Sequence, residues 1–216
     1  MSADLQTRLR DGAAALGLVL DAAALAHLVA YLDLLAKWNR VYNLTAVRDP
    51  TQMLTHHVLD SLAVIGPLRR HTGGAPVRLL DVGSGGGLPG VVLAICCPEL
   101  AVTCVDTVAK KASFIQHVAG SLGLKNLHGL HARVEAVDER FDVVASRAFA
   151  SLADFVAWSR GALAEEGVWL AMKGKRPADE MAALPAFAQV FHVEPLQVPG
   201  LDAERCLVWL RLKCST

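Results

Sequence analysis

The stretch Leu79-Leu80-Asp81-Val82-Gly83-Ser84-Gly85-Gly86-Gly87-Leu88-Pro89-Gly90 limits the possible folds more than any other part of the chain. An apolar run ends in a carboxylate, passes into a glycine-rich turn and continues into an apolar helical segment. Glycine allows positive φ and removes the Cβ atoms that would hold a ligand away from the backbone. The helix that follows presents unpaired N–H groups and the positive end of its dipole. In open α/β sheets such a turn lies at the carboxyl end of a strand, where ligands bind.

Two ligands suit it. Gly85-x-Gly87-x-x-Gly90 fits the dinucleotide fingerprint of a nicotinamide-dependent oxidoreductase. Asp81-x-Gly83-x-Gly85-x-Gly87 fits the loop of S-adenosylmethionine-dependent methyltransferases. The carboxylate discriminates between them, because it attracts a cationic amino acid moiety, directly or through water, and repels a pyrophosphate. The long helical segment before the loop also counts against a dinucleotide enzyme, which commonly opens on this unit. Asp106 ends the next apolar run and can accept hydrogen bonds from two ribose hydroxyls, or cap the helix after it. Arg133-Val134-Glu135 follows the third run, in the position that borders an adenine.

The surrounding pattern supports an open parallel sheet. Strands are expected over 77–82, 101–105, 127–132, 141–146 and 168–172, with helices over 88–97, 108–122 and 152–163 between them. Runs 191–198 and 206–212, joined by Pro199-Gly200-Leu201-Asp202, read as a closing antiparallel hairpin. Residues up to about 68 read as helical. Asp21 caps a helix with Leu25, Leu28, Val29, Leu32 and Leu35 on one face. Asp49-Pro50 starts a second helix carrying Leu54, Val58, Leu62 and Ile65. The breaker cluster 71–76 suggests a helical cap over 1–75 and a ligand-binding domain over 76–216.

Composition removes some alternatives. With 53% hydrophobic and 19% charged residues among 216, the chain is not disordered. No apolar run is long enough for a bilayer, and Met1-Ser2-Ala3-Asp4 lacks the basic and apolar regions of a leader, so a cytoplasmic chain without a membrane partner is expected. Five cysteines (Cys96, Cys97, Cys104, Cys206 and Cys214) without paired spacing read as small buried hydrophobes or surface thiols. His56-His57 and His128-x-x-His131 complete no zinc pattern, so no metal is expected. The formal net charge is zero, so nucleic-acid binding would need a local basic patch. Arg133, Lys173, Lys175 and Arg176, together with Arg69, Arg70, Lys110 and Lys111, are candidates for such a rim. Trp38 and Tyr42 read as helix-packing aromatics.

Several motifs occur together. They are 37–45 (Lys-Trp-Asn-Arg-Val-Tyr-Asn-Leu-Thr), 57–62 (His-Val-Leu-Asp-Ser-Leu), 81–90, Lys110-Lys111 with Phe114, 133–135, Ser146-Arg147-Ala148 and Lys173-Gly174. In this combination the chain resembles the ribosomal RNA small subunit methyltransferase G family, also called glucose-inhibited division protein B. The resemblance runs from about Trp38 to Lys173, most of the chain, and more weakly to the end. It implies methylation of guanine N7 in the decoding-region loop of 16S rRNA, with S-adenosyl-L-methionine as cofactor. The partner is then 16S rRNA or the small ribosomal subunit, and nothing points to an obligate dimer. The implied fold is a Rossmann-like α/β sheet of seven strands, the last hairpin antiparallel, under an N-terminal helical cap. Motif matching puts cofactor contacts at Gly83, Leu88, Val134, Glu135 and Arg147, beside Asp81, Gly85 and Asp106 from the loop reading. Leu88 stands where family members often carry Phe. Arg147 is also the candidate for orienting guanine or clamping phosphate, the alternative being a structural ion pair with Glu135 or Asp142. A non-catalytic RNA-binding protein with a retained pocket is the remaining rival.

Overall fold

The computed structural model describes residues 3–213, so Met1, Ser2 and Cys214 lie outside the described residues. Helices α1 (Ala3–Ala15) and α2 (Ala22–Tyr42) open the chain. The Asp21 side chain caps α2 by accepting from the Ala24 N–H, as its position suggested. Asp49 caps the next helix through the Gln52 N–H. That helix is less regular than its sequence implied. It runs as α3 (Pro50–Met53), a π-helical turn (Leu54–Leu59) and α4 (Asp60–Leu62), then breaks before α5 (Ile65–Thr72). Such π turns insert one residue into a helix and redirect side chains, commonly at functional sites.

Seven strands follow: β1 (Val77–Val82), β2 (Leu100–Asp106), β3 (Leu127–His131), β4 (Phe141–Arg147), β5 (Leu163–Lys173), β6 (Ala188–Leu196) and β7 (Arg205–Leu212). Their order is β3-β2-β1-β4-β5-β7-β6. The first five are parallel, and β7 is antiparallel to both neighbours. The connections diverge between β1 and β4, so the carboxyl ends of these two strands flank the crevice where such sheets bind ligands.

Helices α6 (Gly90–Cys96) and α7 (Ala109–Leu122) cover one face of the sheet, and α8 (Leu152–Ser159) covers the other. The first face shares one continuous core with the N-terminal helices, in which Leu9, Leu28 and Leu35 join Leu79, Val102 and Leu170. Alternation along β1 sends Leu79 and Asp81 toward that face and Leu80 and Val82 toward α8.

Several boundaries differ from the sequence reading. The glycine turn runs on to Pro89, so α6 starts at Gly90 rather than 88. Helix α8 stops at Ser159, a 3-10 turn covers Arg160–Ala162, and β5 begins at Leu163. The exposed pair Glu165–Glu166 imitates a loop in sequence, but it lies in the irregular start of β5, where the register jumps between Phe141 and Val143. In the last hairpin β6 starts at Ala188 and β7 at Arg205, slightly ahead of the apolar runs. A short helix, α9 (Ala178–Ala182), had no periodic signal. Only a 3-10 turn, Val134–Ala136, bridges β3 to β4 where a crossover helix would usually lie.

Candidate active site

Two cavities open at the carboxyl edge of the sheet and meet at Ala148, which lines both. The first, about 450 Å³, is lined by Gly83, Asp106, Lys111, Arg133–Glu135, Phe149 and Trp158 among others. Gly83 has φ +66, and a Cβ there would fall 2.3 Å from the Phe149 ring, so the turn requires glycine twice over. Asp106 is held rigidly. Its Oδ2 accepts the Gly85 N–H at 3.0 Å and its Oδ1 accepts the Val108 N–H at 2.9 Å, with Lys111 Nζ at 3.6 Å. Asp106 thus braces the loop before α7 and also lines the cavity, but α7 starts from Val108 without a side-chain cap, so Asp106 is not the N-cap its position suggested. Phe149 and Trp158 meet edge to face at 5.8 Å and form an aromatic wall of the cavity, which Val134 also lines. Trp158 is 42% exposed, unusual for so large an apolar ring. Arg133 pairs with Glu135 at 3.1 Å at the cavity mouth.

Asp81 and Leu88 lie elsewhere. Asp81 faces α6 and is fully buried beneath the turn. Its Oδ2 accepts the Gly90 N–H at 2.8 Å, while its Oδ1 has no hydrogen-bond partner among the described residues. Gly90 must be bare, because a Cβ would stand 2.4 Å from Cys104 Sγ. Leu88 is buried and does not line the cavity. Burial pushes the Asp81 carboxyl up to about 7, against a smaller lowering by the Gly90 N–H. The unfolded chain releases this proton near the ordinary aspartate value, so the folded state loses stability as pH rises from there to about 7 and no further above it. Asp81→Asn keeps an acceptor for Gly90 and is expected to abolish that slope, on the order of 4 kcal/mol across the window. Urea denaturation of both proteins at several pH values measures it, and parallel slopes would refute it.

The second cavity, about 500 Å³, is lined by Thr45–Val47, His56, His57, Asp60, Arg147, Lys173 and Arg205 among others. Arg147 points here and not into the first cavity. Its expected partners are not Glu135 or Asp142. Its Nη1 donates to Asp60 Oδ2 at 3.0 Å and to the His56 carbonyl at 2.9 Å, and its Nη2 lies 3.4 Å from His57 Nδ1. Glu135 takes Arg133, and Asp142 takes the Arg78 N–H. Burial, followed by Arg147, lowers His57 to about 4, so the ring is neutral at neutral pH. Thr45 Oγ1 lies 2.7 Å from its Nε2. The tautomer that satisfies both contacts accepts from Arg147 and donates to Thr45.

The motif at 37–45 now has a physical reason. Asn39 is buried, accepts the Thr45 N–H at 2.8 Å and donates to the Val47 carbonyl at 3.0 Å, which pins the loop that walls this cavity. Asn43 ends α2 in the left-handed region at φ 51. Trp38 packs on Tyr42, Phe114 and His117 at 5.2–5.4 Å, the packing role its position suggested.

The basic rim is smaller than the sequence implied. Lys111 and Arg133 border the first cavity, and Lys173 borders the second, bonded to Glu180 and the Ala150 carbonyl. Lys110 stands 5.2 Å over the Tyr42 ring. Lys175 and Arg176 are exposed just beyond β5. Arg69 does not join them, because it holds Cys96 and Glu99 at the opposite edge of the sheet, and Arg70 is engaged by Glu194. Sequence reasoning missed Asp60, His57, Arg205, Phe149 and Trp158. The 57–62 motif was noted, but a buried Asp three residues after a His shows its partner, Arg147, only once the chain is folded. Cys97, Cys104 and Cys206 are buried and Cys96 half-buried, all as free thiols.

A sheet of this order, with a rigid acid ending β2 beside a bare glycine turn, defines a Rossmann-like S-adenosylmethionine-dependent methyltransferase. The fold resembles that of TrmN from Thermus thermophilus (TM-score 0.54, 19% identity, 74% of this chain and 53% of that one). The family model described as rRNA small subunit methyltransferase G matches residues 24–208. The chain belongs to that family. It is 68% identical to the ribosomal RNA small subunit methyltransferase G of Acidovorax ebreus, over 96% of this chain and 95% of that one. It is 65% identical to that of Paracidovorax citrulli, over 96% and 90%. The nicotinamide reading of the glycine loop is thereby set aside. No helix among the described residues is long and apolar enough to cross a membrane.

Proposed function

We propose that this protein methylates N7 of a guanine in the decoding-region loop of bacterial 16S rRNA, presented as RNA or within the small ribosomal subunit. The observation that carries this reading is the pair of cavities meeting at Ala148, one suited to a nucleoside and the other lined by cations. The first fits S-adenosylmethionine: Asp106 offers acceptors to a ribose, Gly83 gives bare backbone, and Val134, Glu135, Phe149 and Trp158 surround the space for a base, while Gly85 lies outside the lining and anchors the turn on Asp106. Asp81 supports the turn from below. When bound, the cofactor supplies an electrophilic methyl group.

The residues of the second cavity suit an acceptor that needs no deprotonation. Guanine N7 carries an in-plane lone pair and no proton. His57 is engaged at both nitrogens, and Asp60 is taken by two arginines, so neither is free to act as a base. Catalysis then rests on alignment, which supplies roughly 7–11 kcal/mol in well-oriented systems. Arg147 orients guanine through O6 or holds a phosphate, leaving N7 open. Arg133, Lys173 and Lys175 contact RNA phosphate. A cytoplasmic location and a monomeric state belong to the same proposal.

The decisive experiment incubates the protein with S-adenosylmethionine and small subunits from a strain lacking this gene, then maps N7-methylguanine by borohydride–aniline cleavage. One new cleavage in the decoding-region loop is expected. S-adenosylhomocysteine binding with no methyl transfer would favour the non-catalytic rival. RNA affinity is also expected to fall with salt. Three phosphate contacts on a single strand give a log–log slope of about −2, and a flat response would remove the basic rim from the account.

A further inference from the structure

Asp60 is about 1% exposed, and each of its carboxylate oxygens holds a different arginine. Oδ2 takes Arg147 Nη1 at 3.0 Å, and Oδ1 takes Arg205 Nε at 2.9 Å. The arginines come from β4 and β7, two strands separated in the sheet by β5. Arg147 pairs in register with Met172, and Lys173 pairs with Cys206, so both guanidiniums stand on the same edge of the sheet. Two like charges brought this close repel unless an anion lies between them. The two are not anchored equally. Arg147 also holds the His56 carbonyl and touches His57. Among the described residues, Arg205 otherwise holds only the carbonyl of its own neighbour, Glu204.

We infer that Asp60 is a positioning residue that joins Arg147 and Arg205 into one fixed pair of donors aimed at the RNA, acting mainly through Arg205. This rests on the reading of the second cavity as the acceptor site. An ion pair at this depth adds little net stability compared with an apolar replacement, so its use lies in geometry. A guanidinium presents donors in a planar fork, and fixing two forks from one carboxylate presets their spacing for the acceptor oxygens of a nucleotide. Asp60 lines the second cavity and not the first, so cofactor affinity is independent of it.

The test is a double-mutant cycle of Asp60→Asn and Arg205→Gln, read as kcat and KM for small subunits and as the Kd for S-adenosylhomocysteine. Each single variant is expected to raise KM about tenfold or more, with kcat and cofactor Kd within about threefold of wild type. The double variant is expected to be no worse than the poorer single variant, because Asp60 acts through Arg205. If Asp60→Asn alone does not fold, the double variant, which also removes one of the facing cations, is compared with Arg205→Gln alone and is expected to match it within about threefold. An Asp60→Asn protein with normal cofactor affinity and unchanged KM would overturn the inference, as would effects that multiply in the double variant. Failure of the wild type to methylate any RNA would instead remove the underlying functional reading, and it shows in the same assay before any variant is made.

Discussion

Asp106→Ala is expected to weaken S-adenosylhomocysteine binding by about 100-fold or more. The carboxylate already accepts the Gly85 and Val108 N–H groups, so its direction is fixed before a ligand arrives. Each oxygen keeps a second lone pair for a ribose hydroxyl. Hydrogen bonds to a charged acceptor contribute about 1.5–3 kcal/mol each, and two of them correspond to roughly two to four orders of magnitude in affinity. The alanine variant also frees the glycine turn from its anchor at Gly85, which adds a cost in order. Asp106→Asn retains a single acceptor oxygen and is expected to fall between the two. Isothermal titration with S-adenosylhomocysteine reads all three proteins. Equal affinities would mean that the first cavity is not the cofactor site.

Arg147→Ala is expected to lower kcat/KM for RNA by about 1,000-fold while leaving cofactor affinity within about threefold. Two losses combine. The substrate loses a bidentate donor, worth about 1–3 kcal/mol at a guanine edge. Asp60 loses the partner of one buried oxygen, and unpairing a buried ion pair costs about 3–5 kcal/mol, part of which appears as disorder of Arg205 across the same cavity. A lower thermal midpoint is therefore expected as well. Turnover of small subunits, together with a denaturation curve, separates the contributions. Unchanged turnover would remove Arg147 from the mechanism.

The sheet, its glycine turn and the acids at or next to the ends of β1 and β2 were legible because each rests on local rules. Strand periodicity, glycine dihedrals and a carboxylate before a turn need no distant partner. The Asp21 and Asp49 caps were equally local. The second cavity was hidden for the opposite reason. Asp60 and Arg205 are far apart in sequence and meet only because β7 inserts beside β5. Arg147 was named from its place at the end of β4, but its true partner lies on a helix 87 residues earlier. The direction of Asp81 was in principle legible, since alternation along β1 places it on the face of Leu79. Arg69 looked like its basic neighbours because composition does not say which edge of a sheet a helix end reaches.

The slender link from β3 to β4 has a bearing on turnover. A single 3-10 turn leaves Arg133, Glu135 and Trp158 exposed along the edge of the first cavity. If the proposed RNA contact at Arg133 holds, the same edge is both the RNA rim and the way out for spent nucleoside, so that contact must loosen before the nucleoside leaves.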